Sequence, residues 1–252
     1  MKARIAAAFD TAEAYDRHAI VQREAAGLLA RRITALALPP RPRVLEIGCG
    51  TGFLGQALAD RLSDADWLAT DIAPAMLERA RARLADRRAF RFAVIDGEAP
   101  VIDDRFDLIC ANLAFQWFAD LPGALARLRG LLAPGGMLAF TTLAEGSFAE
   151  WRSAHAAAGR EPGTRDYPAL PALQAMLPGG TVEPITLTER HATAAAFLRA
   201  LKAIGAGVAR PDHRPLSPVA LRAVMRRFEE AGAIARYEVA LCVAGRTDAS
   251  CA

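Results

Sequence analysis

A short apolar run, Val44-Leu45-Glu46-Ile47, passes directly into Gly48-Cys49-Gly50-Thr51-Gly52, and an amphipathic stretch from Leu54 to Leu62 follows at once. This junction constrains the fold more than any other feature of the chain. The apolar run suits a buried strand, and three alternating glycines let the backbone take positive φ and approach a ligand closely. Further strands and helices alternate along the chain after it. Trp67–Asp71, Phe90–Ile95, Phe106–Cys110 and Met137–Thr142 read as strands, with helices over Pro74–Leu84 and Leu121–Leu132 and a tight turn at Pro134-Gly135-Gly136. Strand–helix alternation at this spacing predicts an α/β, doubly wound, Rossmann-like sheet covered on both faces.

The flanks follow a different rhythm. From the start to about Leu38 the spacing of Tyr15, Ile20, Ala25-Ala26 and Leu28-Leu29 is helical, and Pro39-Pro40-Arg41-Pro42 ends it. After Thr142, helices around Phe148–Ala158, Ala169–Met176 and Ala192–Ile204 are predicted, with late strands at Val182–Leu187 and Tyr237–Val243. The extra helices over 148–176 and 192–231 are expected to cap the sheet's C-terminal edge, where ligands of open α/β sheets bind. The reading is one domain, 1–252: an N-terminal helical segment (1–38), a cofactor-binding core (43–142), a helical cap with a late strand (143–235) and a last strand (236–244). With 252 residues, 53% of them hydrophobic, a single body of this kind has ample core.

Several function classes are disfavoured at once. No charge-free apolar run is long enough for a membrane span, and MKARIAAAFDTAEAYDRH lacks the apolar stretch of a signal peptide. Cys49, Cys110, Cys242 and Cys251 form no CxxC pair, which argues against a disulfide framework or structural zinc and suits a reducing cytoplasm. A net charge of +3 is too small to imply a nucleic-acid binder. His18, His155, His191 and His213 are too scattered to suggest a metal site, and no Ser-His-Asp set stands out. Among 31 cationic residues only Lys2 and Lys202 are lysine, which makes the second of them conspicuous.

The glycine turn departs from the dinucleotide fingerprint G-x-G-x-x-G, because Phe53 stands where the third glycine would be. A pyrophosphate is therefore a poor fit, and a nicotinamide dehydrogenase is disfavoured. A ligand without phosphate, such as S-adenosylmethionine, suits Glu46-x-Gly48-x-Gly50-x-Gly52 better; the competing reading is a plain βα turn. Asp71 closes the second strand, where an acid can accept both ribose hydroxyls. Asp71-Ile72-Ala73-Pro74 also reads as a helix cap. Asp96-Gly97-Glu98 after the third strand offers a carboxylate to an adenine amino group, or is simply a turn.

Taken together, Val44–Gly52, Asp71–Leu77 (DIAPAML), Asp96–Glu98 and Leu132–Thr142 (LAPGGMLAFTT) resemble the class I S-adenosylmethionine-dependent methyltransferases. The resemblance implies a seven-stranded, mostly parallel sheet. It also implies a cofactor site of Tyr15, Glu46, Gly48, Cys49, Gly50, Gly52, Asp71, Ile72, Met76, Asp96, Gly97, Glu98, Asn112 and Leu113. For Tyr15 the alternative is helix packing. Beyond that core, Ala111–Trp117 (ANLAFQW), Phe140–Ser147 (FTTLAEGS), Leu201–Ala206 (LKAIGA) and the opening Ala7-Ala8-Phe9 … Tyr15-Asp16-x-His18-Ala19 are similar to the malonyl-acyl-carrier-protein O-methyltransferases of biotin synthesis.

That similarity runs almost end to end. It implies methyl transfer from S-adenosylmethionine to the free carboxylate of a malonyl thioester, on acyl-carrier protein or coenzyme A. The alternative is another carboxylate or carbon acceptor, and a further rival is an inactive cofactor-binding module. Such a carboxylate is already ionised at neutral pH, so no catalytic acid or base is expected. Gln116 and Trp117, past the fourth strand, and Arg199 and Lys202, in the cap, are the substrate-binding candidates. Core packing competes for Trp117 and a solvated helix face for Lys202. Arg210, Arg214, Arg222, Arg226 and Arg227 could steer an acidic carrier protein. Neither nucleic acid nor membrane is expected as a partner.

Overall fold

The computed structural model describes residues 1–87 and 89–246. Cys251 lies outside the described residues, and Cys49, Cys110 and Cys242 are free and buried. The N-terminal helical pattern is broken into α1 (Lys2–Asp10), α2 (Tyr15–His18) and α3 (Ile20–Thr34), where the periodicity alone predicts one helical segment. Hydroxyls cause two of the stops. Thr11 Oγ1 donates to the carbonyls of Ala7 and Ala8, and Thr34 Oγ1 to those of Ala30 and Arg31, closing each helix on its own last turn.

The sheet region follows as β1 (Arg43–Ile47), α4 (Phe53–Leu58), β2 (Asp66–Asp71), α5 (Pro74–Arg83), β3 (Phe90–Val94) and β4 (Phe106–Asn112). A 3-10 turn (Phe115–Trp117), α6 (Leu121–Gly130) and β5 (Leu132–Leu143) come next. The remainder is α7 (Ala149–Ala157), α8 (Leu170–Met176), β6 (Thr181–Arg190), α9 (Ala194–Ala203), α10 (Pro218–Glu230) and β7 (Ile234–Gly245). Helix starts carry their own signals. Asp120 accepts from Gly123 N, Thr193 from Ala196 N and Ser217 from Ala220 N, so α6, α9 and α10 each begin on a capping side chain.

The seven strands form one sheet in the order β3-β2-β1-β4-β5-β7-β6, with β1–β2, β1–β4, β2–β3 and β4–β5 parallel. Val44 is in register with Trp67 on one side and Leu108 on the other. The order reverses between β1 and β4, and crevices at the carboxyl ends of such strands are where ligands of this architecture bind. One detail corrects the sequence reading. Pro134-Gly135-Gly136 is a bulge inside β5 rather than a turn ahead of it. Leu132 already pairs with Phe106, and while β4 advances to Leu108, β5 advances to Met137. Gly135 takes φ +75° there, a conformation that a side chain would strain.

The chain divides into two compact units. One comprises Met1–Val21, Leu143–Pro168 and Ile185–Val239; the other comprises Gln22–Thr142, Ala169–Pro184 and Ala240–Ala252. The second holds β1–β4 and most of β5, with Leu45, Ile47, Trp67, Phe106 and Phe140 fully buried. The first is held by aromatic rings: Trp151 meets Phe228 edge-on at 5.3 Å between centroids, and Phe197 lies 5.0 Å from Phe228.

Candidate functional site

All three glycines of the β1–α4 turn lie in the left-handed region, Gly48 at φ +64°, Gly50 at +55° and Gly52 at +87°. Space is as tight as the backbone is unusual. A Cβ on Gly48 would come 2.6 Å from the Cβ of Ala114. The turn is tied down by backbone bonds, Cys49 N to Thr70 O and Gly52 N to Cys49 O, both 2.9 Å. Cys49 adds no reactive thiol: it is buried, its Sγ lies against Gly50 O, and burial pushes its pKa well above the ordinary value.

Two acids flank this turn, one in β1 and one at the end of β2. Glu46 is almost wholly buried, accepts from Trp67 Nε1 at 3.1 Å, and is bonded by the backbone of Gly55. Burial pushes its carboxyl up to about 8, against the opposing effect of those bonds and with the charge of Asp71 adding to the rise. Asp71, also buried, accepts from Gly50 N on Oδ2 and from Ala73 N on Oδ1, each at 2.9 Å. The helix-cap reading is corrected: Ala73 is the N-cap of α5 and α5 has no side-chain cap, so the bond from Ala73 N closes a turn ahead of the helix. The same carboxylate ties the glycine turn to the opening of α5.

The Asp96-Gly97-Glu98 turn is tightly built. Asp96 Oδ1 accepts from Glu98 N, and a Cβ on Gly97 would overlap Ile47 Cγ2. Glu98 faces the chain itself: its Oε1 accepts from Ala119 N at 2.9 Å and Asp120 N at 2.6 Å. Of the two carboxylates, Asp96 is the more exposed. Ile72 is half-buried beside Asp71, and Met76 is buried in α5 with Arg79 Nη1 3.9 Å from its sulfur.

At the end of β4 lies a polar network whose full extent the sequence did not disclose. Asn112 Nδ2 donates to Gln22 O at 2.9 Å, and its Oδ1 accepts from Thr141 Oγ1 at 2.8 Å. Leu113 takes φ +48°, strained for a leucine, and its N–H meets Thr141 Oγ1 at 3.0 Å. Gln116 Nε2 donates to Leu113 O. Gln22 was missed by sequence reasoning because it sits ninety residues from Asn112 and belongs to no motif. Arg83 was missed too. Its Nε donates to Thr51 O at 2.7 Å, and its guanidinium lies 4.4 Å from the centre of Phe53, with that of Arg23 at 4.8 Å. Phe53, the residue that breaks the dinucleotide fingerprint, is therefore a platform for two cations.

The remaining candidates belong to the other compact unit, apart from Trp117, which is half-buried in the 3-10 turn. Tyr15 is half-buried in α2, its ring 6.4 Å from that of Phe9, and α2 packs on α9. Arg199 and Lys202 are exposed, on the face of α9 opposite the buried Phe197 and Ala200. Among the described residues, no cluster of His, Cys, Asp and Glu could hold a metal ion, and no helix is long and apolar enough to cross a membrane.

The geometry fits S-adenosylmethionine. Glycine backbone lines one turn, and acids close β2 and β3 alongside it. Comparison with known proteins agrees. A family model described as a methyltransferase domain matches residues 45–138. The biotin biosynthesis bifunctional protein BioCD of Bordetella avium is 50% identical over 94% of this chain, which spans 51% of that protein. The malonyl-[acyl-carrier protein] O-methyltransferase of Magnetococcus marinus is 43% identical, over 88% of this chain and 84% of its own. In fold, the chain resembles an S-adenosylmethionine-dependent methyltransferase from Geobacter sulfurreducens solved with S-adenosyl-L-homocysteine, at TM-score 0.53 and 19% identity, covering 87% of this chain and 91% of that one.

Proposed function

This chain belongs to the malonyl-[acyl-carrier protein] O-methyltransferase family, whose methyl donor is S-adenosylmethionine, and from that membership we propose that it methylates the free carboxylate of a malonyl thioester in early biotin synthesis. The acceptor is carried on acyl-carrier protein, and the reaction belongs in the cytoplasm. The observation that carries the reading is the positive-φ glycine turn roped to Asp71 at the point where the strand order reverses. The whole chain, 1–252, acts as one methyltransferase domain.

Bound S-adenosylmethionine supplies an electrophilic methyl group on a positively charged sulfur. The residues of this chain bind and orient. The turn from Gly48 to Gly52, with Cys49 in its backbone, lies along the cofactor, and Asp71 takes the ribose hydroxyls, with Ile72 packing beside it. Asp96, rather than Glu98, meets the adenine amino group, because Glu98 is committed to the backbone at 119–120. Glu46 braces β1 against Trp67 and the backbone of Gly55, and Met76 and Tyr15 complete the set of cofactor residues in this reading.

The acceptor carboxylate is the nucleophile. One of its lone pairs forms the new O–C bond while the S–C bond electrons stay on sulfur, so two opposite charges disappear and no proton moves. Desolvation and alignment favour such a step, because water stabilises the separated ions. Trp117 lines the acceptor's path. Lys202, with Arg199 beside it, orients the carboxylate as a movable point charge and leaves a lone pair exposed to the methyl carbon. The deciding experiment incubates the purified protein with malonyl thioester and S-adenosylmethionine and assays the methyl ester. Absence of ester, with the cofactor demonstrably bound, would exclude this acceptor.

A further inference from the structure

Among the described residues, three that are not glycine take positive φ: Leu113 at +48°, Phe148 at +60° and Ala233 at +50°. Backbone holds two of them, with Phe148 N donating to Arg236 O at 2.6 Å and Ala233 N to Phe228 O at 3.0 Å. Leu113 is different, because side chains grip it at both its N–H and its carbonyl. The N–H is shared between Thr141 O at 3.1 Å and Thr141 Oγ1 at 3.0 Å, and the carbonyl accepts from Gln116 Nε2. A strained residue persists only where its surroundings over-determine it, and such residues cluster at functional sites.

The polarity of the bonds leading to Leu113 runs in one direction. Gln22 O can only accept, so Asn112 turns Nδ2 to it at 2.9 Å and presents Oδ1 elsewhere. Thr141 Oγ1 gives its one proton to that Oδ1 at 2.8 Å, which leaves a lone pair for the Leu113 N–H. Thr141 is wholly buried, at the β5 position in register with Asn112, so its hydroxyl is shielded from water. Ala114 follows Leu113, and its Cβ lies only 2.6 Å from where a Cβ on Gly48 would fall. The backbone angle at Leu113 therefore decides how Ala114 meets the glycine turn.

We propose that Thr141 is a positioning residue of the cofactor site: its hydroxyl holds Leu113 in the left-handed conformation that seats Ala114 against Gly48. Being wholly buried, Thr141 acts through Leu113 and not by touching a ligand. Without the hydroxyl, Leu113 relaxes toward negative φ, and only the fraction of molecules still in the left-handed form binds the cofactor at full strength. The inference rests on the cofactor part of the function proposed above and is independent of the acceptor.

Glycine takes positive φ without strain, so a chain with glycine at position 113 should no longer need the hydroxyl. S-adenosyl-L-homocysteine affinity is measured by calorimetry for the wild type, Thr141→Val, Thr141→Ser and Gln116→Met. The valine and methionine variants are then measured again with Leu113→Gly added, each against Leu113→Gly alone. Valine suits a strand and keeps the shape of threonine while removing the hydroxyl. We expect Thr141→Val to weaken binding about tenfold in the otherwise wild-type chain and less than about threefold in the Leu113→Gly background. Thr141→Ser, which keeps the hydroxyl, should recover most of the affinity. Equal losses in the two backgrounds, no loss in the first, or a serine variant as weak as the valine one would overturn the assignment. If Thr141→Val does not fold, Gln116→Met, which frees Leu113 O from the half-buried 3-10 turn, makes the same comparison. Its loss must likewise shrink in the Leu113→Gly background, and a loss that does not shrink overturns the assignment. Failure of the wild type to bind S-adenosyl-L-homocysteine would overturn this and the cofactor reading together. Failure only to methylate malonyl thioester would remove the acceptor and leave this inference standing.

Discussion

Asp71 shows how one side chain can carry two readings at once. Its carboxylate already bonds Gly50 N and Ala73 N, so its removal frees the glycine turn as well as the ribose hydroxyls it is proposed to hold. Asp71→Ala should therefore weaken S-adenosyl-L-homocysteine by at least the ~10- to 150-fold that a hydrogen bond to a charged group is worth. Unchanged affinity in a folded variant would take Asp71 out of the site. Glu46 makes a different kind of prediction. Its folded pKa of about 8 lies above the ordinary 4.5, so the native state binds this proton more tightly than the unfolded chain. The stability it contributes is complete below the lower value and is lost as pH rises through the upper one. The melting temperature should fall between about pH 5 and pH 8.5, and Glu46→Gln, which mimics the protonated acid, should flatten part of that fall. An equally steep fall in the variant would assign the effect elsewhere. For Lys202, exposed on α9, the expectation concerns the acceptor alone. Lys202→Met should raise the KM for malonyl thioester roughly tenfold, about the value of one charged hydrogen bond, with cofactor affinity intact. Wild-type kinetics would make it a solvated helix residue.

At the scale of elements, the strand–turn–helix unit at β1 was legible because each of its parts obeys a local rule. An apolar strand, alternating glycines and an amphipathic helix leave few alternatives. The glycines are required twice over, by φ and by space, and these can be separated. Gly48→Ala should abolish cofactor binding. Adding Ala114→Gly removes the 2.6 Å contact but not the strain of φ +64°, so it should restore binding only in part. Full restoration would show that φ is irrelevant, and no restoration that the contact is. Elsewhere the local rules were insufficient. The helical periodicity before Leu38 was real, but it is cut into three pieces, and at the first break the Thr11 hydroxyl bonds back to the last turn of α1. Pro134-Gly135-Gly136 carries every sign of a turn, yet Leu132 pairs with Phe106 before it and makes it a bulge. That pairing is long-range, and no window of sequence contains it.

The molecule as a whole makes one prediction about chemistry. With an ionised carboxylate as nucleophile, the single-turnover rate of methyl transfer should be flat from about pH 7 to pH 6, well above the value of about 4 at which an ordinary carboxylate titrates. A sharp loss in that interval would demand an enzyme base; single turnovers are needed because product release can hide the step. The sequence by itself determined the α/β class, the position of the glycine turn and of the acids at the ends of its strands, and the family. Strand patterns, glycine and the spacing to the next acid are local, and they survive in a linear string. Only the tertiary structure decided that Glu98 binds backbone at 119–120, that Arg83 and Arg23 flank Phe53, and that Gln22 meets Asn112. These are contacts between distant segments. Which conformation Leu113 is held in depends on where every neighbouring donor and acceptor ends up, and that is a property of the packed chain.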